Sequence, residues 1–155
     1  MRLYLLLLWL CVPATFAQPA PDFTLPSQGL PQHLTDLKGK VVYVDFWASW
    51  CPPCLRSFPW MNQMQDEFGD QLVIVAINVD ADQAKKQAFL DANPANFVLV
   101  DDPNGEIAAQ YDILGMPSSF LVDKSGEIRF AHQGFFNAKT EQYEQQIQSL
   151  INEAL

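Results

Sequence analysis

The residues of this chain best suited to do chemistry are Cys51 and Cys54, which are separated by two prolines. Cysteines at this spacing at the start of a helix lie within reach of a disulfide bond. The free N–H groups and the positive dipole end of a helix also stabilise a thiolate there. We therefore expect Cys51 to be the more exposed attacking nucleophile with a lowered pKa. Cys54, one turn further in, is expected to be buried and to resolve the mixed disulfide.

Two other roles for a cysteine pair fit this sequence poorly. A zinc site needs two more ligands, and neither His33 nor His132 belongs to a second paired-ligand motif. A purely structural disulfide over so short a loop constrains little of the unfolded chain. We therefore favour redox-active thiols, and we expect neither a metal nor a cofactor.

A carboxylate, Asp45, lies six residues before Cys51 in the apolar run 40–47. The run is β-branched and aromatic without alternation, which is typical of a strand buried on both faces. A buried carboxyl has a raised pKa and exchanges protons near neutral pH. We predict that Asp45 relays protons for the cysteines. The alternative is a solvated carboxylate at a strand edge.

The elements that must position these groups alternate along the chain as β-α-β-α-β-α-β-β-α, which indicates an α/β fold with a partly parallel sheet and one antiparallel hairpin. Strands are predicted at 40–47, 71–79, 97–100, 118–122 and 127–131. Helices are predicted after Cys51 up to Gly69, over 81–92, from Asp102-Pro103, and over 140–154. The buried faces of the last three are Ala84, Ala88, Phe89 and Ala92; Ile107, Ala108 and Tyr111; and Tyr143, Ile147, Leu150 and Ile151.

The chain resembles the thioredoxin superfamily, and its TlpA/ResA-like branch of exported thiol–disulfide oxidoreductases in particular. The resemblance covers about residues 21–152, with its most specific motifs at 21–25, 37–40, 44–54 and 115–123. It implies a thioredoxin fold, with a central mixed sheet flanked by helices, an extra αβ insertion around 81–100 and an N-terminal extension.

The resemblance also implies a substrate-binding surface. It makes Pro117 a cis proline beside the cysteines and assigns Met116 the role of offering backbone groups to a substrate strand. We expect Trp50, Pro52 and Pro53 to complete this surface, with Trp50 shielding Cys51 and Trp47 packing in the core. Two positions depart from the branch: Asp45 stands where many TlpA-like proteins have Asn, and Ser57 where some ResA-like proteins have Glu.

The first 17 residues have the layout of a secretory signal peptide, with Arg2, an apolar run and small residues before a cut after Ala17. We expect a signal peptide, 1–17, and one thioredoxin-like domain, 18–155. This places the protein in the periplasm, or tethers it to the membrane if the signal is not cleaved. Lipidation of Cys11 is disfavoured because Leu10 precedes it.

The whole chain has 155 residues and a net charge of −9, with no basic stripe, so nucleic acid is excluded as a partner. The resemblance implies a monomeric reductase of disulfide-containing envelope proteins, with electrons from a membrane thiol donor. Its substrates would include the haem-binding cysteines of apocytochromes c. The alternatives are a disulfide oxidase or isomerase, a peroxiredoxin-like peroxidase, and a non-catalytic binding module or chaperone on the same scaffold.

Overall fold

The computed structural model describes residues 18–26, 29 and 31–154; the predicted signal peptide and Cys11 lie outside them. None of the helices in this part of the chain is long and apolar enough to cross a membrane. The strands are β1 (Gln18–Pro19), β2 (Val41–Trp47), β3 (Leu72–Asn78), β4 (Val98–Asp101), β5 (Ser118–Val122) and β6 (Glu127–Gln133). The α-helices are α1 (Pro52–Phe68), α2 (Gln83–Ala92), α3 (Glu106–Gln110) and α4 (Thr140–Asn152), and short 3₁₀ helices include Leu34–Leu37 and Asn137–Lys139.

The six strands form one mixed sheet in the order β1-β6-β5-β2-β3-β4. The pairs β2–β3 and β3–β4 are parallel, whereas β2–β5, β5–β6 and β1–β6 are antiparallel. This is the predicted architecture, a mixed sheet flanked by helices and closed by the β5–β6 hairpin. The predicted αβ insertion is α2 and β4, which adds a parallel strand at one edge of the sheet.

Every residue of β2 and β3 is buried, as their unbroken apolar sequences predict for central strands. One face of the sheet packs on α1, α2 and α4 through a cluster that includes both cysteines. The other face is covered by α3 and by the N-terminal extension, through Phe23, Leu25, Leu34 and Leu37. The stripe predicted for α4 is confirmed, since Tyr143, Ile147, Leu150 and Ile151 are all buried.

The buried face predicted for α2 is largely wrong, because Ala84, Ala88 and Ala92 are exposed. Phe89, the fourth residue of the predicted face, does make the contact, with its ring centroid 4.8 Å from that of Trp47 and 5.0 Å from that of Phe58. A large ring fills the space between helix and core, so the short alanine side chains around it do not reach the interior.

The start of α3 also differs from the prediction, because the helix begins at Glu106 rather than at Asp102-Pro103. The chain first turns through Gly105, whose φ of 70° suits glycine. Asp102 still stabilises the helix start, since its Oδ2 accepts a 2.8 Å hydrogen bond from the Ala108 N–H. The carboxylate thus caps from six residues away rather than from the adjacent position.

The packing of α4 on the sheet predicts a large difference between two identical substitutions. Leu150 is 1% exposed and Leu114 is 87% exposed. We expect Leu150→Ala to lower the free energy of unfolding by about 2–5 kcal/mol, because it leaves a cavity in the core. Leu114→Ala should change it by less than about 0.5 kcal/mol. Urea denaturation of the oxidised protein measures both, and equal losses would contradict the assigned packing.

Candidate active site

The cysteine pair lies at the N-terminus of α1, where Cys51 is the N-cap residue. Cys51 and Cys54 are joined by a disulfide, with their Cα atoms 5.3 Å apart. Pro52 and Pro53 occupy the first two helical positions, so neither supplies an N–H group. The Cys54 N–H is the next along the chain, and it donates a 3.3 Å hydrogen bond to Cys51 Sγ. The same donor and the helix dipole are placed to stabilise a Cys51 thiolate after reduction.

The two cysteines differ in exposure in the predicted order, but only slightly. Cys51 is 4% exposed and Cys54 is fully buried. The predicted order is therefore confirmed, and in this oxidised form both side chains of the disulfide are buried. A target disulfide reaches Cys51 only once this bond is reduced.

Asp45 lies in the middle of β2 and is 2% exposed, so a solvated strand-edge carboxylate is ruled out. Side chains alternate along a strand, so Asp45 shares a face with Tyr43 and Trp47, which pack in the cluster that holds the cysteines. Its Oδ2 has no hydrogen-bond partner within the described part of the chain. Burial raises the pKa of Asp45 well above its usual range. The carboxyl therefore favours its protonated form.

The loop before β5 has the form that the resemblance implied. The Met116–Pro117 peptide bond is cis. The Pro117 carbonyl accepts a 2.7 Å hydrogen bond from the Gly134 N–H, and the Gly115 carbonyl accepts one from Ser118 Oγ. The Met116 backbone makes no hydrogen bond with any other described residue, so its groups remain available to a bound chain.

The tryptophans divide between core and surface. Trp47 is buried against Phe58 with ring centroids 4.8 Å apart, which confirms its predicted core role. Trp50 is 66% exposed, so most of its side chain lies on the surface next to Cys51 in the chain. Its neighbour Pro52 is also exposed, whereas Pro53 is half-buried. Trp50 and Pro52 therefore form open surface beside the disulfide.

Asp80 is a positioning residue that the sequence argument missed. It is buried at the end of β3, where its Oδ2 accepts hydrogen bonds from the Ser49 N–H at 2.7 Å and from Asn78 Nδ2 at 2.8 Å. Its Oδ1 accepts another from Ser49 Oγ at 2.9 Å. The nearby Asp82 has a different role, because it caps α2 by accepting hydrogen bonds from the N–H groups of Ala84 and Lys85. Strand register could have revealed this contact, because the parallel strands β2 and β3 end at the same edge of the sheet and bring Asp80 beside the loop that leads to Cys51.

No metal centre is formed by the part of the chain that the structure describes. Within residues 18–26, 29 and 31–154, no three His, Cys, Asp or Glu side chains are grouped as metal ligands would be. The chemistry of the site comes from the two sulfur atoms and the side chains around them.

A family model described as the AhpC/TSA family matches residues 16–131. This chain belongs to the AhpC/TSA family. It is 38% identical over 126 residues to the thioredoxin-like protein YneN of Bacillus subtilis, covering 79% of this chain and 74% of YneN. It is 35% identical over 112 residues to the thiol–disulfide oxidoreductase ResA of Geobacillus thermodenitrificans, covering 71% of this chain and 64% of that ResA.

A solved relative gives the same assignment for this AhpC/TSA-family chain. A crystal structure from Chlorobium tepidum, described as thiol:disulfide interchange protein DsbE, superimposes with a TM-score of 0.82 at 44% identity. The match covers 88% of this chain and 97% of that one. The thioredoxin-like, ResA-like character inferred from the sequence is confirmed, and the Cys51–Cys54 pair is the redox centre that goes with it.

The buried carboxyl of this AhpC/TSA-family protein predicts a pH-dependent stability. Below the unfolded pKa of about 3.9, Asp45 is protonated in both states and the full stability is present. Between that value and the raised pKa of the folded state, the unfolded chain loses the proton first. Stability then falls as pH rises, by up to about 1.4 kcal/mol per pH unit, and levels off above the folded pKa.

The Asp45→Asn variant has no carboxyl to titrate at this position. Its free energy of unfolding, relative to that of the unaltered protein, should therefore increase as pH rises through the same window. Urea denaturation of the oxidised proteins at a series of pH values measures the difference. Asp70→Asn removes an exposed carboxyl and is the matched control. Parallel pH curves for the two variants would contradict the burial of an ionisable Asp45.

Proposed function

We propose that this protein is an exported thiol–disulfide oxidoreductase that reduces disulfide bonds in other envelope proteins. The observation that carries the proposal is the Cys51–Cys54 pair at the N-terminus of α1, on the same side of the sheet as the buried Asp45. The comparisons support thiol–disulfide exchange as the chemistry, because the relatives of this family named above include oxidoreductases.

The reaction begins with the protein in its dithiol form. The Cys51 thiolate attacks one sulfur of a target disulfide, so a Cys51–target bond forms and the second target sulfur leaves as a thiolate. With the Asp45 carboxyl ionised at this step, Cys54 gives its proton to the Asp45 carboxylate and attacks Cys51 Sγ. The first target sulfur leaves, the target is reduced by two electrons, and Cys51–Cys54 is oxidised to the disulfide seen here.

Asp45 is the proton acceptor we propose for the resolving step. A thiol buried as completely as Cys54 is shielded from bulk water, and Asp45 supplies the carboxyl on the face of β2 that is directed towards the cysteines. Burial keeps the pKa of this carboxyl high, so its conjugate base is strong enough to deprotonate a thiol.

The surface around the cysteines suits an unfolded or extended polypeptide. Four large apolar side chains are exposed in the described part of the chain: Trp50, Leu55, Leu114 and Phe136. Trp50 and Leu55 flank the cysteine pair in sequence, and Leu114 precedes Met116 by two residues. We propose that Trp50, Pro52, Pro53, Met116 and Pro117 bind the target, with the Met116 backbone pairing with an extended segment of it.

The compartment and the partners that we propose for this protein rest on its sequence. The signal-like segment 1–17 places the domain 18–155 outside the cytoplasm, in the periplasm or tethered at the membrane. A reductase there needs electrons from a membrane thiol donor, because disulfides persist in that compartment. Apocytochrome c cysteines are the target class that the ResA-like resemblance favours.

The reduction potential of Cys51–Cys54, titrated in a defined thiol–disulfide buffer, tests the direction of the reaction. We expect a value near or below about −270 mV, as in thioredoxin, because a reductase must give up its electrons readily. A value near about −120 mV would assign the protein to disulfide formation instead.

Cysteine variants test whether the pair acts in the proposed order. Cys54→Ser should accumulate a covalent complex with a disulfide-containing target, because the resolving thiol is absent, whereas Cys51→Ser should form none. Mass spectrometry of the mixture identifies the bond. Full activity of the double variant would favour a binding module, and rapid turnover of hydrogen peroxide by the unaltered protein would favour a peroxidase.

A further inference from the structure

A row of polar side chains crosses the sheet from the buried carboxyl to the protein surface. Asp45 of β2 is the register partner of Ser119 of β5, and Ser119 is the register partner of His132 of β6. Directly opposed residues of antiparallel strands point to the same face. One polar side chain per strand therefore leads from the centre of the sheet towards its edge, through surroundings that are otherwise apolar.

Hydrogen bonds connect the outer part of this row. The Tyr43 hydroxyl donates to Ser119 Oγ at 2.8 Å. Ser119 Oγ lies 3.3 Å from His132 Nδ1, and His132 Nε2 lies 2.8 Å from Gln146 Oε1 on α4. These bonds occupy both ring nitrogens of His132, so the orientation of its ring on β6 is specified by the network.

The partners of His132 define the direction of its hydrogen bonds. Gln146 Oε1 is an acceptor, so Nε2 carries the proton and Nδ1 of the neutral ring accepts. Ser119 must then donate to Nδ1, while the Tyr43 hydroxyl donates to Ser119. Burial lowers the pKa of His132 and raises that of Tyr43 well above its usual range, so both side chains are neutral at pH 7. The Ser119 hydroxyl is thereby oriented to pass a proton outward.

The outer end of the row opens to solvent. His132 and Gln146 line a cavity of about 440 Å³ between β6 and α4, together with Tyr143, Lys139 and Arg129. A proton that reaches His132 therefore meets water there. The exit lies on a different element from the Cys51 surface, so a bound target need not cover it.

We propose that Ser119 and His132 carry the proton of Asp45 to and from solvent during thiol–disulfide exchange. This rests on the proposed role of Asp45 as acceptor of the Cys54 proton. Before Cys54 attacks, Asp45 loses its own proton outward along the row, through Ser119 and His132 to water, and is left as the carboxylate. When Cys54 attacks Cys51 Sγ, its proton moves to that carboxylate, the new S–S bond forms and the target sulfur leaves as a thiolate. Asp45 then passes this proton to Ser119 Oγ, Ser119 passes its own to His132 Nδ1, and Nε2 releases one to water when its hydrogen bond to Gln146 opens.

The step between Asp45 and Ser119 requires a small movement. The two side chains are neighbours across the β2–β5 ladder but are not hydrogen-bonded in this oxidised form. The relay therefore requires a rotation about the Cα–Cβ bond of Ser119, or a bridging water molecule, at this step. Tyr43 is a positioning residue here, because its hydroxyl holds Ser119 in the orientation that faces His132.

The pH dependence of the row is set by a small group of neighbours. Facing His132 are Tyr143 of α4, with ring centroids 4.7 Å apart, and Lys139, whose charge lowers the His132 pKa further. Arg129 lines the same cavity. Asp45 is faced by Tyr43 on its own strand. The positive charges disfavour a doubly protonated His132, so the ring returns its extra proton to water.

The test separates the two sulfur steps with an aromatic disulfide, 5,5′-dithiobis(2-nitrobenzoate), mixed rapidly with an equimolar amount of the reduced protein. The first coloured thiolate is released when Cys51 attacks the reagent. The second is released when Cys54 attacks Cys51 Sγ, in a phase whose rate does not depend on concentration. We expect His132→Ala and Ser119→Ala to slow the second phase about tenfold at pH 7 and to leave the first unchanged, because loss of general acid–base assistance affects only the proton-coupled step.

Added imidazole should restore the second phase in His132→Ala, because the cavity is open to solvent beside the removed ring, and should not restore it in Ser119→Ala. His132→Gln keeps a hydrogen-bonding side chain without a titrating ring, so it should be slow even if His132→Ala folds poorly. His33→Ala, at the other histidine of the chain, is the matched control.

The relay would be overturned if the second-phase rates of the His132 and Ser119 variants equal that of His33→Ala from pH 5 to 9. If Asp45→Asn is slow while those variants are fast, only the relay is wrong. If Asp45→Asn also keeps a fast second phase, the proposed role of Asp45 fails with it.

Discussion

The burial of an ionisable carboxyl in the central strand is the interaction on which the rest of this structure depends. A carboxylate in an apolar interior is strongly disfavoured, and Asp45 Oδ2 has no hydrogen-bond partner in the described part of the chain, so the carboxyl favours its neutral form. The strand that carries it is, like β3, paired on both sides and buried along its whole length. A peripheral strand would let water reach the carboxyl and lose the shifted pKa.

The site is assembled where several chain segments end at one edge of the sheet. β2 and β3 run parallel, so their carboxyl ends lie side by side, and Asp80 at the end of β3 binds the loop that leads from β2 to Cys51. β5 runs antiparallel to β2, so its beginning, with Met116 and Pro117, meets the same edge. Strand direction therefore brings together Cys51, the loop that leads to it and the Met116-Pro117 segment proposed to bind a target backbone.

The sequence predicted the central strands and the redox pair because both follow from local rules. Unbroken apolar runs require burial on both faces, and Cys-Pro-Pro-Cys after such a run places the sulfurs at a helix start. Among the residues predicted for the buried face of α2, Phe89 packs on the core and the alanines do not. The prediction considered the apolar character of each side chain but not its size. Asp80, Ser119 and His132 were missed as a group, since their partners are 13 to 76 residues distant and strand register alone brings them together.

The distribution of charge and apolar surface indicates how such a protein selects its targets. A chain with net charge −9 attracts basic partners at long range, but the side chains beside the cysteines, Trp50 and Leu55, are apolar. Under the proposed binding of a target to the Met116 backbone, such contacts would recognise the extended shape of a chain rather than its sequence. Folded proteins keep their disulfides and backbone edges covered, so the same surface would discriminate against them. The function proposed above therefore implies selection for unfolded, disulfide-bonded chains by shape and accessibility, with the sulfur chemistry acting on whichever disulfide such a chain presents.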